Sequence, residues 1–169
     1  ASMVGIPKYI TGYAGLTIQN EVKQLKKVIT PKRPLITIVG FAKISDKIQI
    51  LEKILKKSDR VLIGGAVVFT FLKALGYQVG KSLVEDDQLK LAKQLYNKYE
   101  DKIVLPVDFV VATKNFKSIA TVATDNMPKT KMGLDIGPVS VEIFKEYLCQ
   151  AKTILWNGPV GLFEQKPFD

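Results

Sequence analysis

Three short apolar runs that stop at a glycine turn constrain the fold more than any other feature of this sequence. Apolar residues fill each run with little alternation, which is typical of strands buried on both faces of a parallel sheet. We therefore predict three buried, parallel strands. The runs are residues 35–39 before Gly40, residues 61–63 before Gly64, and residues 153–156 before Asn157 and Gly158.

Apolar residues at helical spacing lie between and after the predicted strands. Two weaker strand candidates are residues 119–122 and residues 103–111, which Pro106 should interrupt because proline cannot donate to a ladder. This alternation predicts a three-layer, Rossmann-like α/β domain with a largely parallel sheet flanked by helices. In such sheets ligands bind beyond the carboxyl ends of the strands, where the glycines lie. The helical positions are Ile44, Ile48, Leu51 and Leu55; Phe71, Leu72 and Leu75; Leu89, Ala92, Leu95 and Tyr96; and Val141, Phe144, Tyr147 and Leu148.

The first 33 residues differ from the rest of the chain. Residues 18–29 have the pattern of a basic amphipathic helix, which residues 30–34 should end. We interpret residues 1–33 as a connector with a helix, and residues 34–169 as the α/β domain. The start lacks the pattern of a signal peptide, no apolar run is long enough for a membrane helix, and Cys149 has no partner for an intrachain disulfide. We expect a reducing, cytoplasmic location and no membrane partner.

Composition excludes several kinds of chemistry. The 169 residues contain no histidine, which removes Ser-His and Cys-His nucleophiles, histidine bases and histidine metal ligands. Lysine, carboxylates and backbone amides remain, and these favour phosphoryl transfer, where a protein mainly positions groups and stabilises charge. The net charge of +9 is concentrated in residues 23–60, which hold eleven basic and three acidic side chains. Nucleic acid is weakly supported as a partner, because this segment is not interleaved with aromatic residues.

The first candidate site is the segment 40–47, where a predicted strand opens into a helix. Backbone amides at a helix N-terminus attract phosphate. Lys43 and Lys47 fall at or near the expected first turn, where the helix dipole prefers carboxylates, so two cations there suggest a bound anion. Their i, i+4 spacing would bring both ammonium groups to one side of the helix. The alternative is a pair of ordinary surface lysines.

Residues 76–82 look like a phosphate-binding loop but do not fit its spacing. The GxxxxGK[ST] pattern needs four residues between its glycines, and only three separate Gly76 from Gly80. The segment also follows a predicted helix, residues 67–75, instead of a strand. We interpret Gly76 as the C-terminal cap of that helix.

Two further glycine turns, residues 64–66 and residues 156–164, are candidates for a nucleoside site. Glycine lets the backbone approach a ligand closely, and a carboxylate such as Glu164 would accept hydrogen bonds from ribose hydroxyls. The alternative for Trp156 and Phe163 is core packing, which we favour for Trp156. We interpret Cys149 as a packing residue.

Together these segments resemble the phosphoglycerate kinase family across essentially the whole chain and in the same order. Residues 40–47 are similar to the family's Gly-Gly-Ala-Lys-Val-Ser-Asp-Lys signature, and residues 1–6 are similar to the segment after its interdomain Ala-His motif. The resemblance implies the nucleotide-binding, C-terminal half of such a kinase. Further similar stretches are residues 63–65 with 69–73, 80–85, 105–108, 132–138 and 156–161.

The resemblance implies an activity and a set of site residues. The family transfers a phosphoryl group between 1,3-bisphosphoglycerate and magnesium ADP, giving 3-phosphoglycerate and ATP, and its two domains close by a hinge. By this resemblance Lys43 stabilises the phosphoryl group in flight, Lys47 binds nucleotide phosphates, and Glu164 binds the ribose. The other residues implied to line the nucleotide site are Gly40, Ala42, Gly64, Gly65, Leu83, Gly133, Asn157, Pro159 and Leu162.

Three departures from the family's pattern bear on function. Phe41 stands where the family has its second glycine, so a bulky ring is expected near the phosphate site. Ala66 replaces the third glycine of a Gly-Gly-Gly turn. The family's Gly-Gly-Gly-Asp loop, whose aspartate engages the magnesium nucleotide, and the N-terminal domain that holds phosphoglycerate are not within residues 1–169. We therefore expect an incomplete domain with no metal ligand of its own, an uncovered sheet edge, and no turnover from this chain alone.

Two alternatives to a kinase half remain open at this point. A non-catalytic nucleotide-binding or interaction module of the same fold is favoured by Phe41. Binding of nucleic acid by the basic segment would instead show steep salt dependence.

Overall fold

The computed structural model divides the chain into two compact units. These are Ala1–Pro31 and Lys32–Asp169, and the second holds the α/β domain. The first residues of the family-like stretch, 1–3, and the signature residue Asp46 lie outside the described residues. The described residues are 4–45, 47–166 and 168.

The first unit is helical. It contains a short 3-10 helix, Ile6–Lys8, and the helix α1, Leu16–Ile29, which includes the whole segment predicted to be helical. In the part of the chain that the structure describes, no helix is both long and apolar enough to cross a membrane. The role of residues 1–33 as a connector stays a prediction.

The second unit alternates strands and helices in the predicted order. Each of the three runs that end in glycine forms a strand, and so do both weaker candidates. The elements are β1 (Leu35–Gly40), α2 (Ile48–Lys57), β2 (Arg60–Gly64), α3 (Val67–Ala74), α4 (Leu89–Lys98), β3 (Ile103–Val104), β4 (Asp108–Ala112), β5 (Ala120–Ala123), β6 (Met132–Ile136), α5 (Pro138–Gln150) and β7 (Thr153–Asn157), with 3-10 helices at Asp86–Gln88 and Thr124–Asn126.

The main sheet is parallel and lies between two layers of helices. Its four strands follow the order β3-β2-β1-β7, and all three pairings are parallel. On one face, Val39 and Ile63 pack with residues of α2, α3 and α4; on the other, Ile38 and Leu62 pack with Phe144 of α5. Burial on both faces explains why β1 and β2 read as continuous apolar runs. The burial predicted for the third run is wrong, because β7 lies at the edge of the sheet and is only partly covered. The predicted α/β fold with a parallel sheet flanked by helices is confirmed.

A second sheet was not predicted. Its three antiparallel strands follow the order β5-β4-β6. The break at Pro106 is confirmed, and the two halves of the interrupted run go to different sheets, β3 to the parallel one and β4 to the antiparallel one. Strand β6 escaped prediction because it contains Gly133 and Asp135, two residue types that are rare in strands.

The glycine cap at the end of α3 is confirmed. Gly76 has a φ of +94°, in the left-handed region that glycine adopts without strain. Its N–H donates to the Lys73 carbonyl, and the Tyr77 N–H donates to the Leu72 carbonyl, each at 3.0 Å. This is the Schellman pattern of a helix end. Gly76 therefore serves as a helix cap, as predicted, and not as the first glycine of a phosphate loop.

The predictions of core packing for Trp156 and Cys149 are wrong, and the core-packing alternative for Phe163 is excluded too. Trp156 and Phe163 are 62% and 57% exposed, and Cys149 lies on the exposed side of α5. Trp156 belongs to β7, which is an edge strand, so one of its sides has no neighbouring strand among the described residues. Its indole N–H donates to the Gly158 carbonyl at 2.8 Å.

We expect the chain to associate through the free edge of β7. Ile154, like Trp156, is more than half exposed on this strand. Unpaired backbone groups beside exposed apolar side chains promote pairing between copies. Light scattering at rising concentration should detect dimers or larger species, and Ile154→Lys should reduce them because an edge lysine opposes pairing. A monomer throughout the series would contradict this expectation.

Candidate functional site

A cavity of about 390 Å³ lies at the carboxyl ends of β1 and β2. Strand β6 of the second sheet and the loop after β7 form its other walls. Its size falls within the range of small-molecule sites. The lining residues are Gly40, Phe41, Ala42, Gly65, Ala66, Phe69, Leu83, Phe109, Met132, Gly133, Leu134, Asp135, Pro159, Val160, Gly161, Leu162 and Glu164.

The structure brings eight of the twelve predicted site residues into this lining. Four do not line it: Lys43, Lys47, Gly64 and Asn157. For the eight residues in the lining and for the four outside it, a role in ligand binding stays a prediction. The predicted residues in the lining are Gly40, Ala42, Gly65, Leu83, Gly133, Pro159, Leu162 and Glu164.

Close packing against the loop after β7 explains two of the glycines. A Cβ on Gly40 would overlap the Pro159 carbonyl, and a Cβ on Gly64 would lie 2.6 Å from the Cβ of Val160. The Gly65 N–H also donates to the Val160 carbonyl at 2.7 Å. These glycines therefore let the loop after β7 lie directly against the strand ends. Gly64 contacts this loop and does not line the cavity.

An aromatic pair forms part of the cavity wall and was missed in the sequence. The rings of Phe69 in α3 and Phe109 in β4 lie 4.9 Å apart between centroids and are tilted by 46°. Gly133 faces Phe69 so closely that a Cβ there would overlap the ring. Helix and strand belong to different parts of the sequence, so no local pattern could pair these rings.

Asp135 is a second lining residue that sequence reasoning missed. Its carboxylate accepts a hydrogen bond from the Ile136 N–H at 2.8 Å. Burial raises the pKa of the Asp135 carboxyl above its usual value, and the Ile136 N–H opposes that rise. A carboxylate within an otherwise apolar stretch, residues 132–136, was the available signal. Together with the exposed Glu164, it supplies hydrogen-bond acceptors to a largely apolar cavity.

The helical geometry predicted for the two lysines is wrong. Helix α2 begins at Ile48, so Lys47 is its N-cap residue and Lys43 lies in the loop before it. The chain turns between them, with the Lys47 N–H donating to the Ile44 carbonyl at 2.9 Å. Lys43 is exposed and has no ion pair or hydrogen bond with the described residues. The two lysines are thus set by a loop instead of by i, i+4 spacing on a helix.

Phe41 packs into the core at the edge of the cavity. Only 3% of it is exposed, and it belongs to the cluster that contains Val39 and Val67. The Lys47 ammonium lies 4.7 Å from the centroid of its ring. The ring thus packs beneath the ammonium group of Lys47, one of the two predicted phosphate-binding lysines.

The contact between Phe41 and Lys47 is expected to give a measurable coupling. A cation over an aromatic face contributes about 0.5 to 1 kcal/mol at exposed sites. Phe41→Leu keeps an apolar side chain but removes the aromatic face, and Lys47→Met keeps the stem without the charge. Chemical denaturation of the two single variants and the double variant should give a coupling of that size. The cycle of Phe41→Leu with Lys53→Met, an exposed lysine of α2, should give none, and equal couplings would refute the contact.

The described residues do not form a metal site. Within residues 4–45, 47–166 and 168, no group of three or more histidine, cysteine, aspartate or glutamate side chains is placed to hold an ion. We assign no magnesium ligand to them.

Comparisons with known proteins agree with this architecture. A family model for phosphoglycerate kinase matches residues 1–169. The curated phosphoglycerate kinases of Fusobacterium nucleatum and Thermosipho africanus are 51% and 49% identical to this chain, and each alignment covers 99% of the chain and 44% of the relative. The solved phosphoglycerate kinase structure from Coxiella burnetii has a TM-score of 0.85 at 36% identity, covering 92% of this chain and 41% of that one. The structure from Pyrococcus horikoshii has a TM-score of 0.86 at 26% identity, covering 99% and 44%.

A cavity beyond the carboxyl ends of a parallel sheet, closed by glycine turns, is typical of α/β proteins that bind a ligand at this edge. The family match extends over every part of the chain that forms this cavity. The chain belongs to the phosphoglycerate kinase family. It spans 44% of the length of the curated relatives described above.

Proposed function

We propose that the full-length protein containing this chain transfers a phosphoryl group between 1,3-bisphosphoglycerate and magnesium ADP, giving 3-phosphoglycerate and ATP. In this proposal the chain supplies the nucleotide-binding half, and phosphoglycerate binds to a part of the protein outside it. The observation that carries the proposal is the cavity at the ends of β1 and β2, within a chain that matches the phosphoglycerate kinase family throughout.

The chemistry of the cavity suits a nucleoside. Its apolar surface and the Phe69–Phe109 pair offer flat contacts to a base, while Leu83 and Leu162 add aliphatic contacts. In our proposal Glu164 accepts hydrogen bonds from ribose hydroxyls. Asp135 is the second acceptor within reach of a bound ligand, since it lines the same cavity.

The phosphates are proposed to lie outside the cavity, toward the loop that carries Lys43 and Lys47. Neither lysine lines the cavity, but Ala42 and Phe41 of the same loop do. Lys47 is proposed to bind phosphates of the nucleotide, and Lys43 to meet the phosphoryl group in transit. Magnesium would neutralise phosphate charge when it is bound. The residues of this chain bind and orient the nucleotide and stabilise negative charge.

Binding of ADP to this chain tests the nucleotide site directly. Calorimetric titration should detect binding, and Leu83→Asp should weaken it at least about tenfold, since it sets a charge in the apolar lining and close to an anionic ligand. Ile119→Asp is the matched control, because Ile119 is similarly exposed but does not line the cavity. Equal affinities for the two variants would show that ADP binds elsewhere.

The transfer reaction is tested in the full-length protein. ATP formation from ADP and 1,3-bisphosphoglycerate should be detected in a coupled assay. A full-length protein that binds ADP but forms no ATP above background would support a non-catalytic nucleotide-binding module instead.

A further inference from the structure

The loop between β1 and α2, residues 41–47, is held at two places, once by helix α3 and once by Glu85. Its first residue, Phe41, accepts a hydrogen bond at its carbonyl from the Val67 N–H at 2.8 Å. Further along the loop, the carboxylate of Glu85 accepts a hydrogen bond from the Ile44 N–H and one from the Ser45 hydroxyl at 2.5 Å. The Ser45 N–H donates a longer hydrogen bond to the same carboxylate, at 3.4 Å.

Glu85 is itself fastened to α3. Its backbone N–H donates to the Thr70 hydroxyl oxygen at 3.2 Å, and Thr70 is buried in the middle of that helix. The next residue, Asp86, forms an ion pair with Lys73 of α3 at 2.7 Å. The backbone of Glu85 is therefore fixed to α3, and its carboxylate binds the loop.

Lys43 lies between the two ties. The Phe41 carbonyl is two residues before it and the Ile44 N–H is the next amide after it, so its backbone is restrained on both sides. Its side chain is exposed and makes no ion pair or hydrogen bond with the described residues. A fixed backbone beneath a free side chain is the arrangement expected of a group that must meet a ligand in a defined position.

We propose that Glu85 is a positioning residue, which holds the loop so that the Lys43 ammonium is presented to the phosphoryl group. This inference rests on the proposed function. The Glu85 carboxylate accepts hydrogen bonds from the Ile44 N–H and the Ser45 hydroxyl, and bonds accepted by a charged oxygen are stronger than those between neutral groups. Loss of the carboxylate releases the Ile44 N–H and the Ser45 hydroxyl together, and the loop then samples positions in which Lys43 is misplaced. Displacement of about 1 Å can cost up to about a hundredfold in rate.

The experiment measures turnover in the full-length protein. Glu85→Ala should lower kcat between about tenfold and a hundredfold, with a small change in the KM for nucleotide. Glu85→Gln keeps one oxygen that can accept from the Ile44 N–H and should restore most of the activity. Asp87→Asn is the control, because this exposed neighbour bonds only to Gln88 among the described residues.

A double-variant cycle separates positioning from general stabilisation. If Glu85 acts through Lys43, Glu85→Ala should add little further loss to Lys43→Ala. Amide exchange at Ile44 and Ser45 should also quicken in Glu85→Ala, while that of the core strand β1 stays unchanged. If one of the two Glu85 variants fails to fold, the amide exchange rates and kcat of the other variant test whether Glu85 positions the loop.

The outcomes distinguish this inference from the proposed function. If Lys43→Ala lowers kcat but the two losses multiply in the double variant, Glu85 does not act through Lys43 and the inference falls alone. If Glu85→Ala retains a normal kcat, the inference about Glu85 is also wrong. If Lys43→Ala has no effect on kcat, the phosphate-site proposal and this inference fall together.

Discussion

Lys43→Ala in the full-length protein is expected to lower kcat by about a hundredfold to a thousandfold, with little change in nucleotide affinity. Removing one donor that stabilises developing charge costs about this much in other enzymes. An interaction made mainly in the transition state lowers kcat without weakening the ground-state complex. The structure agrees with such a role, because the side chain is exposed and its charge is not neutralised by any described residue. Steady-state kinetics and ADP titration check the two halves of this expectation.

Lys47 provides a comparison on the same loop. It is proposed to contact phosphates already present in bound nucleotide, so Lys47→Ala should weaken nucleotide binding at least about tenfold. Lys53→Ala, on the exposed side of α2, should change neither kcat nor affinity. If Lys43→Ala and Lys47→Ala both match Lys53→Ala, the two loop lysines are ordinary surface residues and the phosphate-site proposal is wrong.

Asp108→Ala is expected to lower the free energy of unfolding by about 3 kcal/mol. Asp108 is 6% exposed at the start of β4, and its carboxylate accepts from the Ser140 N–H at 2.8 Å, the Ser140 hydroxyl at 2.5 Å and the Val139 N–H at 3.1 Å. The N-cap residue of α5 is Gly137, which has no side chain to satisfy these amides. Asp108, on strand β4, therefore caps helix α5, and alanine leaves the buried Ser140 N–H without its acceptor. Chemical denaturation measures the loss.

Two variants control for other effects of this change. Asp101→Ala removes an exposed aspartate and should alter stability by no more than about 0.5 kcal/mol. Asp108→Asn keeps one acceptor oxygen and should lie between wild type and Asp108→Ala. If Asp108→Ala unfolds at the same denaturant concentration as Asp101→Ala, the bonds to α5 contribute nothing net.

Sequence reasoning succeeded for the parallel sheet because its evidence is local. Strands β1 and β2 are buried on both faces, and such burial leaves a continuous apolar run in the sequence itself. The cap at Gly76 could be predicted for the same reason, since a helix end depends on residues within a few positions of it. Lining residues such as Gly40 and Gly65 followed from a resemblance carried by short motifs at these strand ends.

The lysine loop shows where local evidence failed. Strand-then-helix periodicity placed Lys43 and Lys47 at or near a first helical turn, because Ile44 continues the spacing of Leu51 and Leu55. In the structure Ile44 is buried in the loop, and its N–H bonds to Glu85 instead of opening a helix. A partner 41 residues away in the chain thus overrides the local helical pattern.

What the sequence determined by itself was the parallel sheet, the order of its helices and the family, because each depends on periodicity or on contiguous motifs. Only the tertiary structure decided how Gly64 is used, which ring supports Lys47, what caps α5, and that Trp156 is exposed on an edge strand. Each of these depends on contacts between segments distant in the chain, such as Gly64 with Val160 or Asp108 with Ser140. The composition of either segment alone does not specify which other segment it meets, so these contacts are defined only once the whole domain is packed.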